Sequence, residues 1–239
     1  MCYNISYMEK RAQRIAQHYA AAFSNDAQFE IQYQVSGFTH PLLPVITMQQ
    51  PQTIQAFTWG LIPYWCKQPQ QAKEIAAQTL NAKCETIFEK PSYRKAIAGQ
   101  RCLLIVNGFY EWQTANKIKY PYYIQLKNSP FFSLGAVYDT WLNTETQSTH
   151  HTFSVVTVPA NTLMQQIHNT MKRMPLILTP DTEKKWLQPN LDKPAIAQLM
   201  LPFDPNQMQA HTIARYNNSH NHANIQQPYT YPELDLYNA

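Results

Sequence analysis

Four segments between positions 101 and 158 constrain this chain most. Residues 101–112, 120–126, 131–142 and 152–158 are dense in Val, Ile, Leu, Phe and Tyr, and short polar links join them. β-branched and aromatic side chains suit a pleated, half-buried surface, and the Pro, Asn and Ser at the segment ends are turn formers. Strands that follow one another this closely pair antiparallel, because parallel pairing needs a crossover of roughly a dozen residues or more. Shorter strand candidates lie at 29–35, 45–47, 54–61 and 175–178. The spacing of Ile15, Tyr19 and Phe23 predicts a first helix over 9–22. Further helices are expected at 70–79, around 85–98 in spite of Pro91, at 161–167 and at 194–200. Thr179-Pro180-Asp181 reads as a cap followed by proline at the first helical position, opening a helix through Trp186. Strands outnumber helices and rarely alternate with them, which predicts an α+β fold with a mainly antiparallel, strongly curved sheet and short helices. One domain over 1–239 is expected, with the Asn/Gln/His/Pro-rich stretch 204–239 running over the surface to a mobile end.

Composition narrows the function classes. Hydrophobic residues make up 44%, enough for a packed core, while charged residues are only 14% and form no Lys/Arg blocks. The formal charge of +4 permits an anionic partner, but phosphate binding has to come from a few placed cations rather than a basic coat. Cysteines at 2, 66, 84 and 102 have no CxxC spacing and no paired His motif, so no metal and no cofactor is expected. No signal peptide and no run of about 18 apolar residues is visible. The expectation is a monomeric cytoplasmic protein with reduced thiols and no membrane association, nucleoid-associated when bound to DNA.

Cys2 is the chemically distinctive residue. Once the initiator methionine is removed, it offers a free α-amine and a thiol on adjacent carbons. That pair condenses with an aldehyde: the amine forms an imine, the thiol attacks it, and a five-membered thiazolidine closes. The amine titrates near pH ~8 and the thiol near ~8.5, so a useful fraction of each is reactive at neutral pH. Three distant clusters can serve such a group, and each also has a plainer explanation. Glu111, between Tyr110 and Trp112, has a raised pKa if it is half-buried, or faces solvent if strand alternation turns the aromatics inward. His168, ahead of Lys172 and Arg173, suits a site handling a proton and a phosphate, or is a hydrogen-bonded structural histidine. Asn81 can orient an amine or imine, or can form an Asx-turn. Trp59 and Trp65 flank a turn and can stack on unpaired bases or pack inside, and packing is favoured more for Trp59 on its strand than for Trp65 after the proline.

Cys2, the Asn81-Ala82-Lys83-Cys84-Glu85-Thr86 block continuing to Tyr93-Arg94, the stretch from Arg101-Cys102 through Gly108-Phe109-Tyr110-Glu111-Trp112, and Ile167-His168 with Arg173-Met174-Pro175 resemble the SRAP family. These are SOS-response-associated peptidases, understood as abasic-site processing proteins, and the match runs in order from Met1 to about Trp186. The resemblance implies a barrel-like antiparallel sheet and a positively charged groove for single-stranded DNA. It implies an enzyme that captures the ring-opened abasic sugar through mature Cys2, with lyase-like chemistry and autopeptidase removal of Met1. Cys2 would be the nucleophile, Asn81 would orient its amine, Glu111 would be the general acid/base, and His168 would assist proton transfer. Lys83, Arg94, Lys172 and Arg173 would meet phosphates, with Trp59 and Trp65 near the bases.

This chain departs from the family in carrying Tyr3-Asn4 for the common Gly-Arg, Lys83 for an arginine, and Tyr33-Gln34-Val35-Ser36-Gly37 for a frequent Tyr-Asn-x-Ala-Pro. Lysine keeps the charge but not the bidentate fork. Two other classes also accommodate the sequence: an N-terminal-nucleophile cysteine peptidase or amidohydrolase, and a non-covalent single-strand binding module.

Overall fold

In a computed structural model of the protein, residues 2–8, 12–24, 29–215 and 222–234 are described. Met1, the first three residues of the expected helix over 9–22, and the chain end lie outside them. In order the elements are β1 (Asn4–Tyr7), α1 (Ala12–Tyr19), β2 (Ala22–Phe23), β3 (Gln32–Ser36), β4 (Leu42–Thr47), β5 (Gln50–Trp59), α2 (Pro69–Gln78) and β6 (Asn81–Lys83). They continue with α3 (Arg94–Gly99), β7 (Arg101–Val106), β8 (Gly108–Ala115), β9 (Ile118–Leu126), β10 (Phe132–Asn143), β11 (Ser148–Pro159) and α4 (Thr162–Ile167). The last are β12 (Arg173–Pro175), β13 (Ile177–Leu178), α5 (Pro180–Trp186), α6 (Lys193–Leu199) and β14 (Met208–Thr212).

Strands β5, β4, β7, β10 and β11 pair antiparallel in that order, and β11 then returns to β5 in parallel, Thr152 against Thr58 and Phe153 against Trp59. The sheet therefore closes into a five-stranded barrel, which removes its free edges. A second, open sheet runs β14-β9-β8-β1-β3. The protein is a single α+β domain, as the strand-rich sequence predicts.

Three expectations need correction. The segment 101–112 is not one strand. It breaks at Asn107, whose backbone N–H donates to Ser6 O (2.9 Å) while its Oδ1 accepts from Met8 N (2.6 Å) and its Nδ2 donates to Pro130 O (2.6 Å). The chain passes there from the barrel into the second sheet, and Gly108 lets the Tyr123 ring close in: a Cβ on Gly108 would stand 2.6 Å from it. Around Pro91 the chain forms turns, and only Arg94–Gly99 is helical, because proline lacks the N–H of a helix interior and pushes its predecessor out of the α region. The polar stretch from 204 is not merely draped over the surface. Within it β14 pairs with β9 from Met208↔Leu126 to Thr212↔Tyr122, and Met208, Ile213, Ile225, Tyr231 and Leu234 are buried. The helix opened by Thr179 forms as expected, with Thr179 Oγ1 accepting from Thr182 N and Pro180 at its first turn.

Two buried side chains lock the helices onto the barrel. Trp186, at the end of α5, donates from Nε1 to Cys102 O (3.1 Å) on β7. Arg101 is fully buried and its guanidinium donates to carbonyls, those of Ile97 and Ala98 at the end of α3 and of Trp186 and Gln188 at and just beyond the end of α5. A cation is well placed there, where helix carbonyls are left over and the helix dipole is negative.

Candidate active site

Cys2 is held by the strand that follows it. β1 is paired on both sides, Asn4↔Ser36 on β3 and Asn4↔Tyr110 on β8, so the chain start is fixed against the second sheet. Continued by one residue, that register sets Tyr3 opposite Glu111. Cys2 is fully buried and unbridged. Burial, and next the charge of Glu111, push its thiol well above the usual cysteine range.

Asn81 comes from the other sheet. β6 pairs parallel with β11, Asn81 opposite Val155, which brings the amide to the barrel rim. Its Nδ2 donates to Cys2 O (2.9 Å), while Tyr93 Oη donates to Asn81 O (3.2 Å) and steadies the strand. Asn81 Oδ1 is buried and has no hydrogen-bond partner among the described residues. An orphaned buried acceptor is costly.

Glu111, on β8, is only 3% exposed. Burial raises its carboxyl from an ordinary value of 4.5 to about 8, against the pull of the Trp112 backbone N–H. At neutral pH it is a carboxylic acid able to give up a proton. Sequence alternation left its direction open because β8 is covered on both faces: Tyr110 is fully buried as well. His168 caps α4, with its N–H on Met164 O (2.8 Å). Its Nδ1 lies 2.9 Å from Arg173 O and 3.8 Å from Glu111 Oε1. A carbonyl only accepts, so that Nδ1 carries a hydrogen, and the Glu111 contact is proximity rather than a hydrogen bond. Burial lowers the imidazole pKa, favouring the neutral ring. The four residues that the sequence singled out for chemistry thus lie at one place, from four separate parts of the chain.

The residues expected to hold DNA divide. Lys83 is exposed two positions beyond Asn81, Arg94 is exposed at the start of α3, and Lys172 is exposed in a turn with φ +50°. Trp65 is 37% exposed, its Nε1 3.4 Å from Pro91 O. Trp59 is not available: it is wholly buried, stacked on Phe153 with centroids 6.2 Å apart, and its Nε1 donates to Leu80 O (2.8 Å). Arg173 is not available either. Its guanidinium is buried and forked onto Glu85 (2.7 and 3.0 Å), with Thr157 O at 2.6 Å, so its donors serve the fold. Tyr93 and Glu85, which hold Asn81 and Arg173, went unnoticed as supports in the sequence. Among the described residues no cluster of His, Cys, Asp and Glu could hold a metal, and no helix is long and apolar enough to cross a membrane.

A closed-barrel α+β domain with cysteine, amide, carboxyl and imidazole gathered in one buried cluster is the class that fold and site define. The chain belongs to the SOS response associated peptidase (SRAP) family, whose model matches residues 1–220. Relatives include the abasic site processing protein YoqW of Bacillus subtilis, 33% identical over 221 residues that span 92% of this chain and 95% of that protein. The abasic site processing protein HMCES of Xenopus tropicalis is 34% identical over 153 residues, 56% of this chain and 44% of its own. A crystal structure of a protein from Bacteroides thetaiotaomicron superposes with a TM-score of 0.88 at 40% identity, covering 96% of this chain and all of that one. A Bordetella bronchiseptica structure at 20% identity shares the fold, with a TM-score of 0.76 over 90% of this chain.

Proposed function

We propose that this protein senses abasic sites in single-stranded DNA and captures them as a covalent crosslink through mature Cys2, shielding the lesion in the DNA damage response. The observation that carries this reading is the buried Glu111 carboxyl, with its pKa raised to about 8, in one cluster with Cys2, Asn81 and His168. The names of the relatives point the same way. Removal of Met1 comes first: water cleaves the Met1–Cys2 amide and leaves the Cys2 amine.

The abasic sugar is mostly a closed hemiacetal. Protonated Glu111 is suited to deliver a proton to the ring oxygen while the neutral His168 imidazole takes the anomeric hydroxyl proton, and C1′ is then an aldehyde. The Cys2 amine adds to that carbon and water leaves, with the oxygen reprotonated by the carboxyl–imidazole pair. The thiol adds to the imine, its proton ends on nitrogen, and the thiazolidine closes; aldehyde and aminothiol yield one ring and one water. Asn81 suits the orientation of the amine, since its Nδ2 already holds the Cys2 carbonyl and its Oδ1 lacks a donor. Lys83, Arg94 and Lys172 are the exposed cations suited to phosphates, and Trp65 is suited to a base. Reopening of the ring gives back the imine: its hydrolysis releases the intact abasic strand, whereas loss of a C2′ proton from it expels the 3′-phosphate by β-elimination, which is the lyase-like activity.

A conventional cysteine peptidase works through a thiolate held at low pKa by a cation. Cys2 is pushed the other way by burial and by Glu111, which disfavours that alternative. The test is a denaturing gel after incubation with abasic single-stranded DNA. An SDS-stable band is expected with the wild-type chain and none with Cys2→Ala; equal bands refute capture at Cys2.

A further inference from the structure

Beside Cys2 stands an aromatic pair that none of these roles uses. Phe38 is 60% exposed and lies against Tyr3, ring centroids 4.9 Å apart at 33°. Its turn, Gly37–Thr39, is pinned. Ser36 Oγ accepts from Phe38 N (3.4 Å), Thr39 Oγ1 donates to Ser36 O (2.8 Å), and Gly37 N donates to Tyr3 O (2.8 Å). His40 Nδ1 lies 2.8 Å from Trp59 O, and a Cβ on Gly37 would stand 3.0 Å from the Trp59 ring. The turn thus fixes the exposed Phe38 ring against both the barrel and the chain start.

We propose that Tyr3 and Phe38 form a stacking platform for the unpaired nucleobase next to the captured abasic sugar. The proposal rests on the capture reading above. Tyr3 directly follows the reacting residue in the chain, so the pair is anchored beside the point of capture. An abasic sugar has no π face of its own, so an aromatic platform beside the nucleophile can only engage its neighbour. Burial, then Glu111 and Cys2, raise the Tyr3 phenol pKa. Phe38 supplies the open face, and Tyr3 backs it. Stacking tolerates any base, which fits a lesion found in any sequence.

The test uses the full chain and short single-stranded oligonucleotides carrying tetrahydrofuran, which has no aldehyde and cannot be captured. The site is flanked either by adenine or by a second tetrahydrofuran, and affinities are compared at one salt concentration. Wild type should bind the adenine-flanked strand about 5- to 150-fold more tightly, the range typical of one stacked base. Phe38→Ala should bring that ratio close to one, while Tyr3→Phe should preserve it. A wild-type ratio near one, or an undiminished ratio in Phe38→Ala, overturns the platform. Crosslinking of a genuine abasic strand, assayed in parallel, separates the two ideas: adduct formation without the flanking-base effect removes the platform alone, and no adduct in wild type removes the capture reading.

Discussion

Replacing Glu111 by Gln should stabilise this protein at alkaline pH while disabling it. Unfolded, the carboxyl titrates near its ordinary value of 4.5; folded, burial raises it to about 8. Below pH 4.5 both states hold the proton and the substitution changes little. Between 4.5 and 8 the unfolded chain releases its proton and the folded chain keeps it, so the unfolded state binds fewer protons and stability falls as pH rises. Each pH unit is worth about 1.4 kcal/mol, so the wild type loses at most about 4–5 kcal/mol across that interval. Relaxation around a buried charge lowers this, and about 2–4 kcal/mol is a fair expectation. Glutamine fills the same space without the charge. Urea unfolding at pH 4.5, 6, 7.5 and 9 should therefore show Glu111→Gln drawing ahead of wild type as pH rises, at unchanged m-value. Single-turnover crosslinking by the same variant should slow by about 10²–10⁴-fold. A stability difference that does not vary with pH would show that Glu111 titrates normally and would remove the reason for making it the acid.

Lys83→Ala and Arg94→Ala should each flatten the log–log salt dependence of single-strand binding by about 0.7, whereas Arg173→Ala should leave the slope alone and cost about 1–3 kcal/mol of stability, because its fork is spent on Glu85 and Thr157. Trp59→Ala should cost about 3–5 kcal/mol in denaturation, and Trp65→Ala should be nearly silent there while weakening single-strand binding; equal stability losses would contradict the burial difference between them. Gly108→Ala should destabilise through the clash with Tyr123, which thermal unfolding would register as a lower midpoint.

Much of this was legible in the chain itself. Val, Ile and aromatic density marked the barrel strands, and Thr179-Pro180 announced its helix, because both signals are local. Cys2, Asn81, Glu111 and His168 were picked out by residue type and family resemblance, and the fold brings them to one place. What stayed hidden depends on distant partners. Arg173 and Lys172 are neighbours in sequence, yet a left-handed turn at Lys172 sends one outward and leaves the other on Glu85, 88 positions away. The strand position of Trp59 favours burial over that of Trp65 after its proline, but the parallel seam between β5 and β11 that sets it against Phe153 has no local signal. β14 is polar along most of its length, so no apolar run betrayed its pairing with β9. The direction of Glu111 could not follow from alternation on a strand covered on both faces.

The most direct measurement is the mass of the DNA-bearing peptide after crosslinking to an abasic strand without borohydride, followed by nuclease and trypsin digestion. Residues 2–10 should carry the sugar remnant, with Met1 absent, one water lost and no free thiol at Cys2. The sugar on any other residue, or on a peptide that still begins with Met1, would contradict capture by the Cys2 aminothiol.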